Sequence, residues 1–104
     1  MDRKILEILK RYRNALEDMG IKVSGMVLFG SYASGIAKEY SDIDVVVISD
    51  DFESLNLLER LESLGLALAK AKIMEPIEAL GYTKQEFASR GEGTFIGDEV
   101  KTKG

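Results

Sequence analysis

The feature that most limits the fold of this 104-residue chain is a nearly unbroken apolar run, Ile-Asp-Val-Val-Val-Ile-Ser, at residues 43–49. Valine and isoleucine favour extended backbone, and a strand with one face in water would alternate apolar and polar residues. This run is apolar at almost every position, which indicates burial on both faces. The sequence therefore predicts an interior strand of a sheet that helices cover.

The segments around this strand alternate between helical and extended patterns. Residues 3–19 repeat apolar positions at helical spacing and end at Gly20, and a strand follows that ends at Phe29. A short helix or turn is predicted from Ser31, a helix over about 55–72, a strand from Lys72 or Ile73 to Leu80, and a helix from Thr83. One helix face packed on the sheet is the simplest use of a leucine stripe in the 55–72 helix: Leu57, Leu58, Leu61, Leu64 and Leu68. The order α-β-α-β-α-β-α indicates an α/β fold with a sheet flanked by helices.

Length and charge narrow the classes of function. We expect a single domain over residues 1–90 and a Gly-rich tail over 91–104, so that a large substrate site needs a partner protein or a second copy in a homo-oligomer. No segment has the pattern of a membrane span or a signal peptide, so a cytoplasmic location is expected. The net charge of −4 argues against an extended nucleic acid as the main partner.

The chain contains neither cysteine nor histidine, which leaves carboxylates as its main catalytic groups. Asp42 and Asp44 are two residues apart, so on a strand their side chains share one face. Two adjacent carboxylates repel each other unless a cation lies between them, and Mg²⁺ commonly binds one or two carboxylates together with substrate phosphates. Gly30 and Ser31 are expected to form a turn whose backbone N–H groups and hydroxyl suit a phosphate.

Each of these signals is common when it occurs alone. An Asp-x-Asp at a strand edge is more often a solvated rim, and Gly-Ser occurs in many turns. Their combination is more informative, because carboxylates at the entry of a buried strand are costly and the Gly-Ser turn leaves the preceding strand, which is expected to be its neighbour. The two features together favour a site for a metal-bound nucleotide.

The stretch Gly-Ser-Tyr-Ala-Ser-Gly-Ile-Ala-Lys-Glu-Tyr-Ser-Asp-Ile-Asp resembles the signature of the nucleotidyltransferase superfamily that includes DNA polymerase beta. That signature is Gly-Ser, ten residues, Asp-x-Asp, and residues 30, 31, 42 and 44 fall on it without an insertion. The short chain is similar to the minimal nucleotidyltransferases, many of which pair with a HEPN-domain partner. The resemblance implies a twisted mixed sheet, two Mg²⁺ ions and a nucleoside triphosphate donor, expected to be ATP.

The resemblance also implies a third acidic residue on the next strand, shortly before a helix that begins like Thr-x-x-Glu-Phe. Glu78 fits by its distance from Thr83, Glu86 and Phe87, and Glu75 is its competitor. The two are three residues apart and would face opposite ways on a strand, so that at most one can join Asp42 and Asp44.

Two hypotheses of different classes follow. In the first, the chain is a Mg²⁺-dependent nucleotidyltransferase: Asp42, Asp44 and Glu78 hold the metals and do the catalysis, while Gly30 and Ser31 hold the triphosphate of ATP. The acceptor would be a hydroxyl on a partner protein such as a HEPN toxin. In the second, the chain is a catalytically weak or inactive antitoxin, a binding module that neutralises a helical partner by forming a direct complex with it.

Overall fold

The computed structural model describes residues 3–29 and 43–91. The elements along the chain are α1 (Arg3–Asp18), β1 (Gly25–Phe29), β2 (Ile43–Ile48), a 3₁₀ turn (Asp50–Ser54), α2 (Leu57–Lys70), β3 (Ile77–Tyr82) and α3 (Lys84–Gly91). The predicted order is confirmed for these elements, whereas the short helix or turn predicted from Ser31 lies outside the described residues. The division into a domain and a tail stays a prediction. In the described part of the chain, no helix is both long and apolar enough to cross a membrane.

Strand β2 is the centre of a mixed sheet with the order β1-β2-β3. It pairs antiparallel with β1 and parallel with β3. A parallel pair needs a crossover connection, and α2 supplies it. Val45, Val46 and Val47 are all buried although neighbouring side chains point to opposite faces, which confirms the predicted burial of this strand on both sides.

One face of the sheet, which we call the helix-covered face, carries the main core beneath α1 and α2. Its side chains come from alternate positions of β2, with Ile43, Val45 and Val47 all facing the two helices. Tyr12 of α1 is fully buried there, and its hydroxyl donates a 2.9 Å hydrogen bond to the carbonyl oxygen of Leu64 in α2. The two helices therefore pack on each other as well as on the sheet.

The prediction for the leucine stripe of α2 is wrong in its first half. Leu64 is buried and Leu68 packs against the core, but Leu57, Leu58 and Leu61 are 68%, 66% and 42% exposed. Seen along the helix axis, Leu61 and Leu58 lie about 60° and about 120° away from Leu64, and Leu57 lies about two turns before it. The core-facing side of α2 is instead completed by Ala67.

The third strand begins later than predicted, at Ile77 rather than at Lys72 or Ile73, and it continues through Gly81. Lys72 has a φ of 55°, a turn conformation that separates the helix from the strand. Gly81 lies inside the strand, and a Cβ atom at this position would be only 2.8 Å from the ring of Phe52, so a larger residue would clash there. The glycine in the pattern therefore marks a close packing contact rather than the end of the strand.

Candidate active site

Two of the predicted carboxylates lie side by side on neighbouring strands. Asp44 of β2 is in direct register with Glu78 of β3 in the parallel pair. Side chains at one register position of adjacent strands point to the same face, and the strands are about 4.8 Å apart. Asp44 alternates with Ile43 and Val45, which face the helices. The pair therefore lies on the opposite side of the sheet, which we call the carboxylate face.

The structure separates Glu78 from its competitor Glu75. Glu78 is the second residue of β3 and is exposed, whereas Glu75 lies before the strand begins. Pro76, between them in sequence, uses its carbonyl oxygen to accept a 2.8 Å hydrogen bond from the backbone N–H of Ile43. This bond fixes the entry of β3 beside the entry of β2, and it leaves Glu78 as the glutamate in register with Asp44.

The remaining predicted site residues, Gly30, Ser31 and Asp42, lie outside the described residues. Their neighbours in sequence are described, and Phe29 at the end of β1 is in register with Asp44. Both ends of segment 30–42 are therefore joined to the sheet at the edge that carries Asp44. Their roles, like those of Asp44 and Glu78, stay predictions.

The donor chemistry of the described pair suits a hard cation. Two carboxylate groups offer only oxygen, which is the ligand type that Mg²⁺ prefers, and side-by-side carboxylates repel each other without a counterion. Within residues 3–29 and 43–91 there is no group of three or more acidic residues that could hold a metal ion. A three-carboxylate site at this edge therefore needs an acid from outside the described residues, and Asp42 is the one that the sequence predicts.

The carboxylate face continues away from the pair as an apolar surface. Phe29, Asp44 and Glu78 form its first row across the three strands, and Val27, Val46 and Leu80 form the next row. Phe87 of α3 packs against the buried Val27 and Val46. Phe29 was not singled out in the sequence, although the alternation of side chains along β1 would have placed it beside Asp44.

Helix α3 is held in place by the predicted capping box and by an arginine that the sequence analysis missed. Thr83 and Glu86 exchange hydrogen bonds of 3.1 and 2.9 Å between side chain and backbone, which confirms the capping box. The guanidinium of Arg60 in α2 pairs with Glu86, at 2.7 and 3.1 Å, and also donates to the carbonyl oxygens of Phe52, Leu55 and Gly81. An arginine among leucines in a half-buried helix was the available signal.

A surface hollow of about 370 Å³ lies at the start of α3, where it is lined by Glu53, Thr83, Gln85, Glu86 and Ser89. Thr83 follows the last residue of β3, whereas Glu78 is near the first. The hollow and the carboxylate pair are therefore at opposite ends of that strand. We assign the hollow no part in the candidate active site.

Comparison with known proteins connects this geometry to a family. A family model described as a nucleotidyltransferase domain matches residues 4–90. Among curated proteins of Methanocaldococcus jannaschii, "Putative protein adenylyltransferase MJ1379" is 44% identical over 70 residues, which are 61% of this chain and 69% of that protein. "Putative protein adenylyltransferase MJ1217" is 39% identical over 59 residues, or 57% of each chain. The chain thus spans about two thirds of the first relative and little more than half of the second.

Two solved structures share the fold at low sequence identity. A crystal structure titled as a "putative nucleotidyltransferase" from Sulfolobus solfataricus matches with a TM-score of 0.58 at 18% identity, over 81% of this chain and 74% of that one. BolA1 from Arabidopsis thaliana matches with a TM-score of 0.54, also at 18% identity, over 76% and 94% of the two chains. These likenesses concern the fold alone, so the assignment depends on the sequence matches. Because the family model covers most of its length, the chain belongs to the nucleotidyltransferase domain family.

Proposed function

We propose that the chain transfers AMP from ATP to a hydroxyl group of a partner protein, such as a HEPN toxin, with Mg²⁺ as cofactor. The observation that carries this proposal is the register of Asp44 and Glu78 on the carboxylate face, in a chain of the nucleotidyltransferase domain family. The names of the Methanocaldococcus relatives, which specify protein adenylylation, support a protein as the acceptor.

The proposed step breaks a phosphoanhydride bond of ATP and forms a phosphoester bond to the acceptor hydroxyl. The acceptor oxygen attacks the α-phosphorus of ATP, the bond from that phosphorus to the α–β bridging oxygen breaks, and pyrophosphate leaves. The hydroxyl proton needs an acceptor. Glu78 is suited to that role because it is exposed on the carboxylate face beside Asp44, where a protein hydroxyl can approach.

Asp42, Asp44 and Glu78 would hold the Mg²⁺ ions, and Gly30 and Ser31 would hold the triphosphate. When bound, such ions neutralise the charge of the triphosphate and favour in-line displacement. Phe29, in register with Asp44, would provide an apolar boundary that excludes water from one side of the pair. Each of these assignments can be tested by a single substitution.

The proposal predicts Mg²⁺-dependent binding of ATP that requires Asp44. Calorimetric titration of ATP into the wild-type chain should show binding with Mg²⁺ and weak binding with EDTA. Asp44→Asn should weaken it by about 100-fold or more, since even groups that only support a metal ligand typically contribute 10- to 100-fold. The matched control is Asp18→Asn, which changes an exposed aspartate at the end of α1 and should leave binding unchanged.

The transfer itself is tested with ATP labelled at the α-phosphate, Mg²⁺ and the protein encoded beside this one. Label should appear on the partner with the wild type and with Asp18→Asn, and not with Asp44→Asn. Equal labelling by Asp44→Asn would contradict the proposed site. Metal-dependent ATP binding without any labelling would instead favour the alternative of a binding module.

A further inference from the structure

The exposed leucines of α2 form a second surface that the candidate active site does not use. Leu57, Leu58 and Leu61 are exposed near the start of the helix, and we call these three residues the leucine patch. Leu57 and Leu61 are four residues apart, and Leu58 and Leu61 are three apart, so they are neighbours on the helix surface. Isolated exposed leucines are ordinary, but a cluster on one helix is typical of an interaction site.

The backbone of α2 is also accessible within this patch. A Cβ atom built on Gly65 would meet no atom of the described residues within 4 Å. Gly65 is the next residue in the line that starts with Leu57 and Leu61, at a spacing of four. A partner could therefore approach the helix closely beside Leu58 and Leu61. Glycine costs about 1 kcal/mol in a helix interior relative to alanine, so that access has a cost in helix stability.

The charges around the leucine patch are almost all negative. Glu59 and Glu62 lie in the same two turns of α2 as the three leucines, and the one basic residue in those turns is Arg60; Lys70 is at the far end of the helix, nine residues after Leu61. The guanidinium of Arg60 is committed to Glu86 at 2.7 Å, and its side chain is only 12% exposed. Glu59 and Glu62 are both exposed among the leucines. The apolar surface is thus bordered by negative charge, and the accessible cation of α2, Lys70, is at the opposite end of the helix.

We propose that the leucine patch binds a partner protein through an amphipathic helix with leucine-like residues on one side and lysine or arginine along its edges. Charge complementarity selects this occupant, since basic side chains would meet Glu59 and Glu62. A second copy of the chain docking through the same patch would bring acidic residues against acidic residues. The patch is on α2, on the helix-covered side of the sheet, so its occupation does not depend on Asp44 or on the proposed transfer.

The first test uses two labelled synthetic peptides: an amphipathic helix of leucine and lysine, and its counterpart of leucine and glutamate. Fluorescence anisotropy should show that the lysine peptide binds the wild type and that the glutamate peptide does not. Leu58→Gln with Leu61→Gln should weaken binding roughly tenfold or more, because burying a leucine typically changes affinity by about that factor. Glutamine keeps the helix propensity and the net charge, so general attraction of a basic peptide would persist in this variant.

The matched control is Leu6→Gln, since Leu6 on α1 has the same 42% exposure as Leu61. As single substitutions, Leu61→Gln should weaken binding of the lysine peptide and Leu6→Gln should leave it unchanged. Glu62→Lys should weaken binding of the lysine peptide and strengthen binding of the glutamate peptide. Circular dichroism of each variant checks that the helices remain formed.

Three results would overturn the proposal. The first is equal affinity for both peptides, and the second is an equal effect of Leu6→Gln and Leu61→Gln. The third is a dimer in sedimentation that Leu61→Gln dissociates, which would make a second copy the occupant. Failure of ATP binding in the same preparation would count against the active site only.

Discussion

The two faces of the sheet use the same strand for different purposes. On the helix-covered face, Val45 and Val47 are fully buried beneath α1 and α2. On the carboxylate face, Asp44 is the second residue of β2 and lies beside Glu78, and Leu80 of β3 is still 39% exposed. Alternation of side chains gives both faces from six residues of β2. The comparison shows how a domain this small can place carboxylates on a rigid strand without weakening its core.

The largest expected effect on stability comes from an asparagine on the helix-covered face, compared with the same substitution on the carboxylate face. Val47→Asn should lower the free energy of unfolding by more than about 3 kcal/mol, because the amide would be buried without a partner and the valine packing would be lost. Leu80→Asn should cost about 1 kcal/mol, since water can reach that residue. Urea denaturation of both variants measures the difference. Similar losses would contradict the contrast between the faces.

A smaller effect is expected from filling space beneath the helix-covered face. Gly81→Ala should lower the free energy of unfolding by about 1–3 kcal/mol, because the new methyl group would lie 2.8 Å from the fully buried ring of Phe52. The matched control is Gly65→Ala, which meets no described atom and should stabilise α2 by roughly 0.5–1 kcal/mol. Thermal denaturation followed by circular dichroism should show shifts of opposite sign. A stabilising Gly81→Ala would mean that Phe52 is not packed against β3.

The smallest effect concerns the buried hydroxyl of Tyr12. Burial raises the pKa of Tyr12 above its usual value of 10.0. The unfolded chain loses this proton above about pH 10 while the folded chain keeps it, so stability is fully present below that pH and falls as pH rises, by up to about 1.4 kcal/mol per unit. Tyr12→Phe should cost about 1 kcal/mol at neutral pH, for the lost hydrogen bond, and should make the alkaline decline shallower. An unchanged decline between pH 10 and 11 would show that Tyr12 is not the group responsible.

The arrangement of elements was predictable because local patterns determine it. The apolar run of β2 requires cover on both faces, and Thr83 and Glu86 are spaced for a capping box. What the pattern could not give was which turns of α2 reach the core, because Leu57 and Leu64 lie on nearly the same side of the helix and only Leu64 is buried. Gly81 was misleading for a similar reason, because its role depends on Phe52, which is 29 residues away in sequence.

The candidate site was predictable in part. Spacing alone brought Asp42 and Asp44 together as a hypothesis, but the choice between Glu78 and Glu75 depends on register between strands, which the sequence does not encode locally. The bond from Ile43 to Pro76 sets that register. Arg60 was missed because its partners come from three separate parts of the chain, which only the fold brings together.

The most direct test of the proposed site compares the rates at which Glu78→Gln and Glu75→Gln transfer labelled AMP from ATP to the partner protein. Both substitutions remove one negative charge and keep the size of the side chain, so net charge is matched. If Glu78 accepts the proton beside Asp44, its variant should be slower by about 10²-fold or more, in the range typical of general-base catalysis, while Glu75→Gln keeps the wild-type rate. Equal rates for the two variants, or a loss confined to Glu75→Gln, would contradict the central claim that Asp44 and Glu78 act together.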